Sequence, residues 1–458
     1  MWLVFTLAQH HGHGYTLGRF RVSVSAQPAD GSAPSELPKS IAAAIAKPAA
    51  ERSPKEAAEI SAHHRSIAQE WKERREALAA ATKARDDFLG GVPAVPVTVS
   101  GTPRTIRVLP RGNWMDDSGE VVSPAPPAFL PQSAGPADRT PTRRDLADWL
   151  VYRDNPLVSR VLANRLWAIC FGQGLSRRLD DHGSQGEPPS HPDLIDWLAC
   201  ELRDGGGAEP WDIRHVLKLI VTSDAYRRTS TARRDLVDRD PDNRLLARQN
   251  RFRIDAENVR DTLLAVSGLL VPTMGGPSVK PYQPEGYWDY LNFPQRKYVA
   301  DTGDNLYRRG LYTWWQRQYL HPAMVVFDAP SREECTARRP RSNTPLQALV
   351  LLNDPASVEA ARALAAKTLA EAGGDARERG RFMLRRAVGR TPTDAEVDVV
   401  VGLAEQQRSM FVGDVKAAER FLAVGAFRAP RSIDAVDLAA WTSAARALLA
   451  LHETVLRY

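Results

Sequence analysis

Between Asn155 and Leu198 the chain reads NPLVSRVLANRLWAICFGQGLSRRLDDHGSQGEPPSHPDLIDWL, and no other stretch limits the possible folds as much. Leu157, Val161, Leu162, Leu166 and Ile169 recur at the spacing of one helix face, and Trp167 and Phe171 widen the stripe. Gly172 and Gly174 stop that helix, and Pro192 suits the first turn of a second one. The stretch therefore predicts two amphipathic helices joined by a loop rich in Gly and Pro. An apolar stripe must be covered by another element, and the chain beyond this pair supplies helices, not strands. The expectation is a mainly α protein. Its multi-helix domain carries a long, aromatic-rich irregular insertion, with a short β segment and a small N-terminal β-hairpin in front.

Composition narrows the function classes. An apolar fraction of 43% with 25% charged residues is that of an ordinary globular protein. The net charge of +6 is spread along 458 residues, whereas a nucleic-acid binder concentrates its Lys and Arg into a stripe. No nucleic-acid partner is expected. No apolar run is long enough to span a bilayer, and MWLVFTLAQHHGHG lacks the basic region of a signal peptide. Cys170, Cys200 and Cys335 are too few and too scattered for a disulfide framework or a CxxC motif. Cys170 and Cys200 lie among Ile, Phe, Leu and Trp and are expected to be buried thiols.

Taken in order, residues 1–25 alternate like two strands of a hairpin, and their loop holds His10, His11 and His13. An isolated hairpin is marginal in water, so this segment is expected to be the end of a truncated β-sandwich. Residues 26–90 form a linker and a helical spacer, with Ser53-Pro54-Lys55-Glu56 as a helix start. Residues 91–140 hold two short strands around Ser100-Gly101-Thr102-Pro103, then a Pro-rich connector. The main helical domain is expected over 141–458. Within it, Thr344-Pro345-Leu346-Gln347 opens a helical run to Leu369, and Asp434 caps a last helix over Ala435 to Leu451.

Several long motifs occur in one order: NPLVSRVLANRLWAICFGQGL, DDHGSQGEPPSHPDLIDWLA, WDIRHVLKLIVTSDAYRRTS, RIDAENVRDTLLAVSG, RRGLYTWWQRQ, FDAPSREECTARRPRSNTPLQALVLLND and VGRTPTDAE. Together, over about residues 107–452, they resemble the C-terminal domain of unknown function, the PSD type, of large planctomycete cytochrome-C-associated proteins. LGRFRVSVS resembles the end of the lectin-like sandwich that often precedes it. The resemblance implies a module of an exported, envelope-located multidomain protein linked to polysaccharide handling, with glycan as a partner. It alternatively implies a non-catalytic scaffold that docks a cytochrome c domain or other envelope proteins. Relatives carry a signal sequence and a haem-binding CxxCH domain. This chain shows neither, so it is expected to be a truncated form without haem or another cofactor of its own. The resemblance transfers no catalytic residue.

Three constellations could carry chemistry. The loop residues Asp180, Asp181, His182, Glu187, His191 and Asp193 offer acid, base and metal-ligand types, with His182, Glu187 and His191 as the metal candidates. Helix capping by His191 or Ser190, and pairing of Asp180 or Asp181 with Arg177 or Arg178, explain the same residues structurally and are favoured. Asn164 and Arg165 stand beside the apolar stripe, and Arg165, if buried, would need the acidic loop as its partner. Asp328, Arg332, Arg338, Arg339 and Asn343 precede a capped helix and suit ion pairing with Glu333 and Glu334 better than an anion site. Finally, residues 272–330 lack a helical period and hold Tyr282, Tyr287, Trp288, Tyr290, Tyr298, Trp314, Trp315 and Tyr319. Tyr287, Trp288, Trp314 and Trp315 are the candidates for stacking on a ligand, with plain packing the favoured alternative.

Overall fold

A computed structural model describes residues 4–6 and 37–457, apart from 93, 100, 137, 292, 293 and 318. The hairpin expected over residues 1–25, with His10, His11 and His13, lies outside these residues except for 4–6, which form no regular element. The chain divides into two compact units, residues 1–105 and 106–458.

In the first unit, helices α1 (Lys39–Ala46), α2 (Pro54–Ile67) and α3 (Lys72–Gly90) follow one another. The capping box at α2 forms as expected: Glu56 N–H donates to Ser53 Oγ at 3.2 Å, and Ser53 N–H donates back to the Glu56 carboxylate at 2.9 Å. The described part of residues 92–99 forms no strand.

The second unit is mainly α. A two-residue strand β1 (Ile106–Arg107) pairs antiparallel with β2 (Val121–Val122), with Ile106 opposite Val122. The partner of the TIRV segment thus comes from Val121–Val122, just ahead of the Pro-rich run, not from VPVTV before it. Helices α4 (Arg143–Leu150), α5 (Pro156–Phe171), α6 (Pro192–Asp204), α7 (Ile213–Thr222) and α8 (Arg234–Arg239) follow. Then come β3 (Phe252–Arg253), α9 (Ala256–Ser267), a long irregular stretch and α10 (Pro322–Val326). The C-terminal part holds α11 (Pro345–Asn353), α12 (Pro355–Glu371), α13 (Ala376–Val388), α14 (Asp394–Gly413), α15 (Val415–Leu422), α16 (Ala435–Leu449) and β4 (Leu456–Arg457). β4 returns to pair antiparallel with β3.

Two apolar clusters organise these helices. The first joins α5, α6 and α7 through Ala163, Leu166, Trp167, Phe171, Ile195, Leu198, Val216 and Ile220. Trp167 and Phe171 stack with ring centroids 4.2 Å apart, an arrangement available because positions four apart share a helix face. The buried face of α5 is rotated from the expected stripe, since Ile169 is 63% exposed while Ala163 and Cys170 are buried. The second cluster joins α9, α11, α12, α13, α14 and α16. α12 and α16 approach closely because the contact face is built of alanines, Ala360, Ala361, Ala365, Ala444 and Ala445 among them.

The run expected from Thr344 to Leu369 is broken in two. Asp354 closes α11 and caps α12, its carboxylate accepting from Ala356 N–H at 2.9 Å. Pro355 explains the break, because a residue before proline is pushed out of the helical region. The last helix is capped by Asp434 as expected, through Asp437 N–H at 2.9 Å. Cys170 is buried, but Cys200 is exposed on the outer face of α6, contrary to expectation.

Candidate functional site

The loop between α5 and α6 is held first by its backbone. Asn164 is fully buried and clamps Ser176 twice: its amide donates to Ser176 O at 2.8 Å, and Ser176 N–H donates to its Oδ1 at 3.1 Å. Gly174 is required there, because a Cβ would lie 2.6 Å from the same Oδ1. Arg165, by contrast, is exposed and needs no buried partner.

Within the loop the acidic and imidazole groups are dispersed among separate tasks. Asp181 accepts from Gly183 N–H at 2.7 Å in an Asx turn. Asp180 pairs with Arg178 at 3.5 Å, and Glu187 pairs with Arg244, which arrives from beyond α8. Arg177 pairs with Asp242 at 2.9 Å. His191 stands at the N-cap of α6 without a side-chain capping bond, and its Nδ1 lies 3.0 Å from Ser190 Oγ. Pro192 and Asp193 occupy the first turn. Burial lowers the pKa of His182, with Arg160 adding to the effect and Asp181 opposing it, and its Nε2 is buried without a partner. Among the described residues, no three His, Cys, Asp or Glu side chains converge in a group that could hold a metal ion.

The Arg cluster after α10 is ion-paired, with partners other than the neighbouring acids. Arg339 reaches Glu257 of α9 at 2.6 Å, and Arg332 lies 3.6 Å from the same carboxylate while covering the Trp315 ring at 4.0 Å. Asp328 holds the far end of the loop by accepting from Ser342 N–H at 2.7 Å. Glu333 is engaged by Arg317.

The irregular stretch between α9 and α10 gathers aromatic rings around a groove of about 1130 Å³. Trp288 forms its floor, buried and stacked on Trp314 at 5.2 Å with a 28° interplanar angle. Tyr298 packs on Trp288 at 5.3 Å, and Tyr319 lies 5.8 Å from Tyr287 in an edge-to-face contact. Tyr287 and Tyr298 are half-buried, with their hydroxyls donated to the carbonyls of Leu320 at 3.1 Å and Pro281 at 2.5 Å. The rings are thus locked in place with one side along the groove. Gln283, Glu285, Asp289, Gln295, Arg296 and Lys297 complete its polar lining. Trp315 belongs elsewhere: it packs against the second apolar cluster, and its Nε1 donates to Ser331 O at 2.9 Å.

Under the groove lies a polar layer that no reading of motifs located. Glu359 of α12 is 1% exposed and accepts from Tyr307 Oη at 3.0 Å, Tyr282 Oη at 3.4 Å and Phe427 N–H. Arg362, one turn on, lies 4.0 Å from Glu359 and donates to the carbonyls of Leu422, Val424 and Phe427. Burial, and then the Glu359 charge, hold the Tyr307 phenol well above its usual range. His321 joins the layer through Nε2, which donates to Tyr282 O at 3.0 Å. One signal did exist: Glu359 and Arg362 are charges three apart in PASVEAARALAA, whose only other polar residue is Ser357.

A family model covers residues 142–404, from the Thr142 cap of α4 to Ala404 in α14, and it describes PSD1, a protein of unknown function (DUF1553). The chain belongs to the PSD1 family. Its matched segment contains the α5–α6 loop, the aromatic groove and both residues of the Glu359–Arg362 pair. α16, which covers the alanine face of α12, lies beyond the PSD1 match. No curated protein and no solved structure matches the chain.

Proposed function

We propose that this PSD1 domain binds carbohydrate in the groove lined by Tyr282, Tyr287, Trp288 and Tyr298, as a module of an exported protein that handles polysaccharide. The supporting observation is the pair Tyr287 and Tyr298, whose hydroxyls are committed to backbone carbonyls beside a stacked Trp288–Trp314 floor. Ring faces fixed in this way suit the flat apolar side of a pyranose, and little side-chain entropy is lost on binding. The amide, carboxylate and cationic groups along the rim suit the ring hydroxyls. No group in the groove is paired with a base or nucleophile at catalytic distance among the contacts described, so the reading is one of binding and assigns no hydrolysis.

Titration of the full chain with neutral oligosaccharides of several linkages, followed by tryptophan emission, tests this reading. A saturable change is expected, because Trp288 lines the groove and Trp314 stacks on it. Tyr287→Ala is expected to weaken binding about tenfold, which corresponds to ~1.4 kcal/mol. Unchanged emission with every glycan, together with unretarded migration through polysaccharide gels, would refute it.

A further inference from the structure

A separate cavity of about 40 Å³ lies between α9, α10 and the junction of α11 with α12. Leu263, Met324 and Phe327 give it an apolar wall, and Arg260, His321 and Asp354 give it a polar end. His321 is 5% exposed. Its Nε2 faces the carbonyl of Tyr282, which can only accept, so Nε2 carries the proton and Nδ1 is left as an acceptor. That Nδ1 is buried without a partner. Arg260 donates through Nη2 to Leu306 O at 2.5 Å, while its Nε–H is likewise buried without a partner.

Buried polar atoms in folded proteins are overwhelmingly paired, so an unmatched acceptor and an unmatched donor lining one cavity specify what should fill it. The group must both donate and accept. A carboxylate cannot donate to Nδ1, an ammonium cannot accept from the guanidinium, and a phosphate, with five non-hydrogen atoms, exceeds the space. A hydroxyl does both. A water-sized probe needs roughly 10–15 Å³, so the space takes about three or four non-hydrogen atoms. We propose that this cavity binds a compact aliphatic alcohol. Its hydroxyl donates to His321 Nδ1 and accepts from Arg260 Nε, and its carbons pack on Leu263, Met324 and Phe327. The site shares no lining residue with the aromatic groove, which it meets through the His321–Tyr282 hydrogen bond, and the two proposals are tested with different ligands.

The test uses saturation-transfer NMR on the full chain with propan-2-ol, and with acetone as a ligand of equal size that only accepts. Propan-2-ol is expected to give saturable transfer, with acetone at least tenfold weaker. His321→Phe is expected to weaken the alcohol at least tenfold. Should His321→Phe fail to fold, Leu263→Phe narrows the apolar wall instead and is expected to abolish binding. Equal binding of acetone, undiminished binding by the variants, or a cavity that admits only water would overturn the proposal.

Discussion

His321 shows how placement decides the chemistry of a side chain. Burial, and then the positive charge of Arg260, push its pKa down from the ordinary 6.5 to about 4, against the opposing bond to Tyr282 O. The folded protein therefore holds His321 neutral where the unfolded chain would protonate it. Stability is fully present above about pH 6.5, falls as pH drops from there towards 4, and levels off below. The whole shift corresponds to about 3 kcal/mol. Denaturant unfolding measured from pH 7 to pH 4 should show this loss in the native chain and a flatter profile in His321→Gln, which retains a donor for Tyr282 O. Parallel profiles would remove His321 as the cause. At this scale the sequence was legible only in part. Asn164 was recognisable as a polar residue beside an apolar stripe, and it proved to be a backbone clamp. Arg165, its neighbour, faces solvent, because an offset of about 100° per residue separates a buried position from an exposed one and the true buried face was rotated. His321 carried no local signal, since its partners Tyr282 and Arg260 lie 39 and 61 positions away.

Helix ends were the most readable elements, because capping is a contact between near neighbours in the chain. Ser53 with Glu56 and Asp434 with Asp437 form as their residue types require. The junction of α11 and α12 obeys the same rules but joins two helices at one residue, Asp354. Its carboxylate is half-buried, and burial raises its pKa while the Ala356 N–H bond opposes the rise. Asp354→Ala removes the cap and is expected to cost about 1–2 kcal/mol in chemical denaturation. Asp354→Asn, which keeps an accepting oxygen, should recover most of that, and a loss equal to that of alanine would show that charge, not capping, is what matters. Strand pairing was not readable in this way. Ile106 finds Val122 across 15 intervening residues, and Phe252 finds Arg457 across most of the unit. Two-residue strands have too little alternation to announce a partner. The aromatic insertion was legible as a feature, but the separation of Trp315 from Trp314 was not, because adjacent residues in irregular backbone need not share a face.

At the scale of the whole chain, the described residues between 94 and 105 are exposed and without regular structure, and they end the first compact unit. Exposed irregular backbone is where proteases cut first. Brief trypsin treatment should therefore cleave at Arg104 or Arg111 and leave a resistant fragment that runs through α16. Early cuts inside α9 to α16 would contradict the division into units. The pairing of β3 with β4 has a further consequence, for synthesis of the chain. Phe252 emerges from the ribosome long before Arg457, and at ~5–20 residues per second the intervening roughly 200 residues take on the order of 10–40 s. During that interval the apolar side of α9, and the alanine face of α12 once it has been made, wait for α16 and β4. The second apolar cluster can therefore close only after α16 has been made.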